Sequence, residues 1–217
     1  KSYNFSNMKK IISFPPKKIL KSKEYFEEYI NIKNILLKKV DNVELQKIIN
    51  IILIATKKKN TFFSCGNGGS ASTAEHLSCD FSKGSCTNNN LNIKVHSLNS
   101  NTALMTAIAN DISYDDVFSY QLNRFGKAND VLFAFSVSGT SKNIIKCAKI
   151  AKNKKIKIIS FTGFNGGKLK KLSKHNINFS SNNFGIVEDC HSSMMHIISQ
   201  FIRNIKIKSN NYKNINF

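Results

Sequence analysis

Residues 64–84, SCGNGGSASTAEHLSCDFSKG, combine a glycine loop with hydroxyl, imidazole and carboxylate side chains. The loop follows an apolar run and precedes a helical pattern, so the unpaired amides of the helix start can bind an anion. Gly68 allows a tight turn, Asn67 offers an amide, and Ser70 adds a hydroxyl donor. Taken alone, a loop of this kind is better explained as a helix cap.

A second segment, VLFAFSVSGTSKNI at 131–144, repeats the order of strand, glycine and helix. Ser136, Ser138, Thr140 and Ser141 surround Gly139, and such a nest of hydroxyls and amides suits a phosphate monoester. The chain contains no G-x-x-x-x-G-K-[ST] and no G-x-G-x-x-G with an acidic partner, so we expect no nucleotide cofactor. The two loops together predict a site for a small sugar phosphate.

Two pairs of acidic and imidazole side chains could perform the chemistry. His76 and Asp80 are four residues apart and share one helix face. Glu188 and His196 are eight apart, about 80° around a helix and two turns along it, so the pairs could converge on one pocket. His191 lies about 140° from His196 on the same helix and is not expected at the same site.

Carboxylate and imidazole are the natural base and acid for moving a proton between two carbons of a sugar. His76, Asp80, Glu188 and His196 also form a set suited to tetrahedral Zn²⁺. A bound zinc could polarise a carbonyl, or it could occupy the site while the residues do acid–base work, and the sequence leaves both open.

The order of elements predicts an α/β fold. Five short β-rich runs alternate with helical segments after two N-terminal helical patterns at 22–40 and 43–59, which indicates a five-stranded parallel sheet covered on both faces. Ligands of such sheets bind at the carboxyl ends of the strands, where both loops fall. The β-rich runs are 61–65, 93–98, 131–136, 156–162 and 176–180.

A length of 217 residues fits one domain with additions. We predict an N-terminal extension at 1–20, one domain at 21–205 and a polar C-terminal tail at 206–217. No compact apolar stretch with a cleavage site marks a secretory signal in the opening segment.

The formal charge is +20, from 33 basic and 13 acidic residues spread along the chain. No basic helix or aromatic-basic motif concentrates this charge, so we expect neither a nucleic acid nor a membrane partner. Five cysteines without a C-x-x-C pair are typical of a reducing cytoplasm.

Four segments together carry a resemblance: CGNGGSASTAEH, TAIANDISYDDVF, SVSGTSKNI and TGFNGGKL. They are similar to the sugar isomerase (SIS) domain and, within it, the phosphoheptose isomerase family, over most of 21–205. The resemblance implies a single flavodoxin-like three-layer αβα sandwich and a homotetramer with active sites at subunit interfaces. It also implies interconversion of sedoheptulose 7-phosphate and D-glycero-D-manno-heptose 7-phosphate through an enediol, for bacterial lipopolysaccharide or capsule heptose.

The resemblance assigns roles by position. Asp80 occupies the place of the base and His196 that of the acid. The metal positions are His76, Asp80, Glu188 and His196. The implied substrate-binding residues, with Val137 acting through its backbone, are Asn67, Gly68, Ser70, Asp111, Ser136, Val137, Ser138, Ser141 and Glu188.

Three positions depart from that family: Asp80 replaces the usual Glu, Glu188 the usual Gln, and Gly185 an Asp that contacts substrate. These changes fall in the expected pocket and bear on which sugar fits. The alternatives are therefore an isomerase for another phosphorylated sugar, a phosphosugar sensor, and a non-catalytic adaptor that binds a replication initiator protein.

Overall fold

The computed structural model describes residues 11–86 and 91–207. Its centre is a parallel five-stranded sheet in the order β2-β1-β3-β4-β5. The strands are β1 Thr61–Cys65, β2 Lys94–Ser97, β3 Val131–Ser136, β4 Lys157–Gly163 and β5 His175–Phe179. The predicted parallel sheet is confirmed, with each strand beginning or ending within about one residue of its β-rich run.

Eight α-helices cover the two faces of the sheet in the described residues. Alternate strand residues face opposite sides, so Phe133 and Phe135 enter one core while Leu132 and Ala134 enter the other. The first core is closed by α1, α2, α3 and α8, and the second by α4 to α7. The helices are α1 Ser22–Lys38, α2 Asn42–Lys57, α3 Gly69–Cys79, α4 Thr102–Asp111, α5 Ser119–Phe125, α6 Lys142–Asn153, α7 Gly167–Leu172 and α8 Phe184–Lys206.

The strand order creates a crevice between β1 and β3. After β1 the chain moves to β2 at one edge, and after β3 it moves to β4 on the other side, so the connections diverge at this point. Doubly wound sheets bind their ligands at such a switch point, outside the carboxyl ends of the strands. The glycine loops at 66–69 and 137–141 both lie there.

The segment before α1 is attached to the outer edge of the sheet. Ile12 pairs in parallel with Ser181, just beyond β5. Phe14 is buried and meets the rings of Tyr25 and Tyr29 edge-on. These contacts join the start of the described chain to the loop that leads into α8.

Parts of the predicted terminal segments lie outside the described residues, namely 1–10 of the extension and 208–217 of the polar tail. None of the helices between residues 11 and 207 that the structure describes has the length and apolar character to cross a membrane.

Candidate functional site

A pair of asparagines joins the two glycine loops. Asn67 and Asn143 each donate an amide hydrogen bond to the other's carbonyl oxygen at 2.9 Å. Asn143 is buried at the start of α6, and Tyr114 donates its hydroxyl proton to Asn67 Oδ1 at 3.2 Å. The sequence analysis assigned no role to Asn143 or Tyr114, although both lie in the quoted segments. Their contacts fix the separation of the loops.

A third loop supports the first. Asn99, which follows β2, accepts a hydrogen bond from the Gly66 amide at 3.2 Å and donates one to the Gly66 carbonyl at 2.9 Å. Gly66 has no room for a side chain, because a Cβ would collide with the backbone of Ser70. Ser70 itself is buried at the start of α3. The loop after β1 is therefore held on both sides.

The loop after β3 is built around Gly139. Its φ of +64° favours glycine, and a Cβ would collide with the backbone of Gly166. The Gly139 amide donates to Ser136 Oγ at 3.2 Å, and Ser136 and Ser141 hydroxyls lie 3.5 Å apart. Ser138 Oγ accepts from the Thr140 amide at 3.3 Å.

Val137, the residue expected to act through its backbone, is fixed by its carbonyl oxygen, which accepts from the Gly163 amide at 2.8 Å. The turn thus contains Ser136, Ser138 and Ser141, while Ser70 lies in the loop after β1.

Helices α3 and α8 lie side by side in the same direction. Thr73 and Ser192 hydroxyls are 3.1 Å apart, and further along the pair Ser199 donates to the Asp80 carboxylate at 3.0 Å. Corresponding positions therefore meet turn by turn. This register decides which predicted site residues can touch.

His76, Asp80 and His196 meet near the carboxyl end of α3. The two imidazole Nε2 atoms lie 3.5 Å apart, and they are 3.5 Å (His76) and 4.0 Å (His196) from the Asp80 carboxylate oxygens. Their side chains are 51% (His76), 21% (Asp80) and 40% (His196) exposed. Asp80 begins a π-helical turn, Asp80–Gly84, a feature that often marks functional sites.

The chemistry of this cluster fits a zinc ion. One ligand atom from each of the three residues lies within 4.8 Å of the others. Two imidazoles and one carboxylate supply three ligands of the kind found in catalytic zinc sites, which keep the fourth position for water or substrate.

Glu188 does not join this cluster, in contrast to the expected four-residue set. Its carboxylate lies against Gly69, where any side chain would collide with it. Because α3 and α8 run in parallel, the two turns between Glu188 and His196 place Glu188 beside the beginning of α3. Burial, and secondarily the charge of Asp189, raises the pKa of Glu188.

Two further residues lie apart from the cluster. Asp111 is exposed at the end of α4 and accepts a hydrogen bond from Asn110. His191 is fully buried among the rings of Phe135, Phe161 and Phe179, and burial lowers its pKa to about 4. His191 therefore belongs to the core and lies apart from His196, and its helical angle had predicted only that the two imidazoles do not share one site.

A cavity of about 350 Å³ opens beside the first loop. It lies between α3 and α4, and Glu75, Asn99 and Tyr114 contribute to its lining. Tyr114 thus connects this cavity to Asn67 and to the asparagine pair.

Comparison with known proteins identifies the group to which this arrangement belongs. The SIS domain family matches residues 24–163. A phosphoheptose isomerase from Helicobacter pylori strain 26695 is 33% identical over 178 residues, 81% of this chain and 92% of the relative. A probable phosphoheptose isomerase from Thermoplasma acidophilum is 37% identical over 164 residues, 74% of this chain and 90% of the relative.

The fold agrees with the sequence comparison. The structure of the phosphoheptose isomerase from Neisseria gonorrhoeae superposes with a TM-score of 0.77 at 28% identity, covering 84% of this chain and 96% of that one. From the family match, the identities and this superposition together, the chain belongs to the SIS domain family and, within it, to the phosphoheptose isomerases.

Proposed function

We propose that the protein interconverts sedoheptulose 7-phosphate and D-glycero-D-manno-heptose 7-phosphate, an aldose–ketose isomerisation. The observation that supports this most strongly is the combination of two linked phosphate-type loops with an acid–base cluster on adjoining helices. The relatives named phosphoheptose isomerases support the choice of substrate. The product would enter bacterial lipopolysaccharide or capsule heptose synthesis.

Substrate binding is assigned to the loops. Ser70, Ser136, Ser138 and Ser141 would donate hydroxyl hydrogen bonds to the phosphate, together with the backbone at Val137. Asn67, beside Gly68, would contact sugar hydroxyls, as would Asp111. Glu188 of α8, which lies beside the beginning of α3, is proposed to contact the substrate rather than a metal.

Asp80 is proposed as the base. Starting from the ketose, the Asp80 carboxylate removes a proton from C1 while His196 protonates the carbonyl oxygen at C2, which gives the enediol. Asp80 then returns its proton to C2 while the neutral His196 imidazole accepts the O1 proton, which gives the aldose and restores both groups. Ser199 holds the Asp80 carboxylate by the 3.0 Å hydrogen bond, so the base is oriented from α8.

Zinc is proposed as the cofactor, held by His76, Asp80 and His196. When bound, it would supply a Lewis acid that polarises the sugar carbonyl, the task that the His196 proton performs without the metal. The chain's own residues bind and orient the sugar and move its protons.

A homotetramer with sites at subunit interfaces is part of the proposal. His76 and His196 are half-exposed in the single chain. Beside His196, α8 carries exposed Ile197, Phe201 and Ile205, four residues apart, which form a stripe suited to a second subunit. The five cysteines are all free, which supports a cytoplasmic location.

An isomerase for a different phosphorylated sugar is the second candidate. Gly185 stands where the family resemblance implies a substrate-contacting Asp, and it leaves that position open beside the Tyr29 hydroxyl. A smaller or differently oriented sugar could use this space.

Turnover of defined sugars tests the proposal. Purified protein, with zinc or with a chelator, is incubated with sedoheptulose 7-phosphate and, separately, with fructose 6-phosphate, and aldose phosphates are separated by chromatography. We expect the heptose aldose from the first sugar in at least one metal condition. Turnover of fructose 6-phosphate alone would favour the second candidate, and no turnover of either would contradict the isomerase assignment.

A further inference from the structure

The end of the sheet opposite the proposed active site carries a cavity with a rim of lysines. It has a volume of about 460 Å³ and lies at the amino ends of β4 and β5, below α2. Its floor is apolar, from Ile51, Ile156, Ile158 and Leu172. The lysines of the rim, accompanied by His175, are Lys152, Lys155, Lys157 and Lys174.

No acidic side chain of the described residues neutralises these positive charges. Among residues 11–86 and 91–207, no carboxylate lies within salt-bridge distance of any of the four ammonium groups. Glu44, the nearby acid, is bound to His175 at 2.8 Å and to Lys47 at 3.7 Å. The segments 1–10, 87–90 and 208–217 contain no Asp or Glu.

Interaction with a helix dipole explains the position of only one of the four rim lysines. Lys152 lies in the last turn of α6, where a cation also complements the helix dipole. Lys155, Lys157 and Lys174 lie outside the helices, and backbone hydrogen bonds hold the first two. The Lys155 carbonyl accepts from Asn129 at 3.0 Å, and Lys157 donates its amide to Asp130 at 2.8 Å.

We propose that this cavity binds a small organic polyphosphate, a molecule with two or more phosphate groups on a body that has an apolar face. Four uncompensated lysines around one concavity match the charge of such a group. The isoleucine and leucine floor would cover the apolar face, and the volume lies in the range of small-molecule sites. The rim is concave and lacks arginine and aromatic rings, which favours a small molecule over a nucleic acid chain.

This site is distinct from the phosphate loops. It lies at the beginning of β4, whereas Gly163 at the end of β4 contacts Val137 in the loop after β3. Strand β4 is seven residues long, so its two ends lie about 20 Å apart. Helix α6 joins them, because it begins beside Ser141 and ends at Asn153 next to the rim.

Calorimetric titration with ATP and with inorganic tripolyphosphate at physiological salt tests the proposal. We expect one ATP per chain with a dissociation constant below about 1 mM, and weaker binding of tripolyphosphate, which has no body to cover the floor. Lys152→Ala and Lys157→Ala should each lower the ATP affinity about fivefold or more. Lys149→Ala, an exposed lysine one turn earlier on α6, should leave it unchanged.

Ser138→Ala separates this site from the phosphate loops. Unchanged ATP affinity in Ser138→Ala, together with weakened affinity in the rim variants, supports the proposal. Loss of ATP binding in Ser138→Ala alone would overturn it, as would no ATP binding by the wild type. Binding of a 20-base-pair DNA duplex without binding of ATP would also overturn it, in favour of a nucleic acid surface.

Discussion

The phosphate loops and the His76–Asp80–His196 cluster differ in how far the single chain completes them. Ser70, Ser136 and Asn143 are at most 4% exposed and Asn143 is bonded to the other loop, whereas His76 and His196 are about half open to solvent. Backbone turns and buried amides fix the first region. The His76–Asp80–His196 cluster lies on the solvent-exposed surfaces of α3 and α8.

The difference indicates a division of labour between binding and chemistry. A cradle that is already formed binds phosphate without paying for reorganisation. The electrostatic interactions of acid–base groups become stronger when water is excluded from them. The exposed cluster would therefore be completed by a metal, a substrate or a neighbouring subunit. Changes in the cluster should therefore affect turnover, and changes in the loops should affect affinity.

Asp80→Asn should give the largest effect. An amide keeps a hydrogen-bond acceptor for Ser199 but cannot take a proton from carbon, so kcat should fall by about 10³-fold or more. Phosphate affinity, measured by titration with inorganic phosphate, should be unchanged. Cys79→Ala, at the exposed neighbouring position, serves as control, and a fully active Asp80→Asn enzyme would refute the assignment of the base.

His191 lies on the buried face of α8, whereas His196 lies on its exposed face. Its pKa of about 4 in the fold lies below that of the unfolded chain, about 6.5, so the unfolded state takes up a proton first as the pH falls. The stability should be full above pH 6.5 and should fall by about 3 kcal/mol towards pH 4.

Urea unfolding across this pH window measures the effect, and His191→Met should flatten that part of the profile. An unchanged pH dependence in His191→Met would show that other groups cause it.

Asn143→Ala tests the link between the loops. Removal of one partner leaves Asn67 without its reciprocal hydrogen bonds in a half-buried site, so the free energy of unfolding should drop by about 2 kcal/mol and phosphate binding should weaken. Asn153→Ala, at the exposed end of the same helix, is the control. Equal phosphate affinity in both variants would mean that the asparagine pair does not position the loops.

Ser138→Ala should have the smallest effect. Loss of one hydroxyl donor to the phosphate should raise KM about tenfold, since a hydrogen bond to a charged group is worth roughly 1.5–3 kcal/mol, while kcat changes little. Steady-state kinetics separates the two constants. A large fall in kcat without a change in KM would contradict the division between binding and chemistry.

The sequence predicted much of this fold because its signals are local. The alternation of apolar residues in β3 and the glycines at 66–69 and 139 depend on near neighbours, and both loops lie where the strand order requires. The placement of His76 and Asp80 on one face of α3 also followed, since both lie within one helix and are four residues apart.

Long-range contacts could not be predicted in the same way. Asn143 pairs with Asn67 across 76 residues, and nothing in the segment SKNI marks its partner. The direction and register of α3 against α8 determine that Glu188 meets Gly69 while His196 meets His76 and Asp80, and helical angles within one element carry no such information. The lysine rim likewise forms only when the connections before β4 and β5 meet.

The central claim is that this chain moves a proton between C1 and C2 of a bound ketose phosphate. NMR of sedoheptulose 7-phosphate incubated with the protein in D₂O tests it directly. The account predicts that aldose signals appear and that deuterium enters at C1 of the ketose or C2 of the aldose, with neither change in Asp80→Asn. Wild-type protein that binds the ketose phosphate yet returns it unconverted and unlabelled would contradict the account.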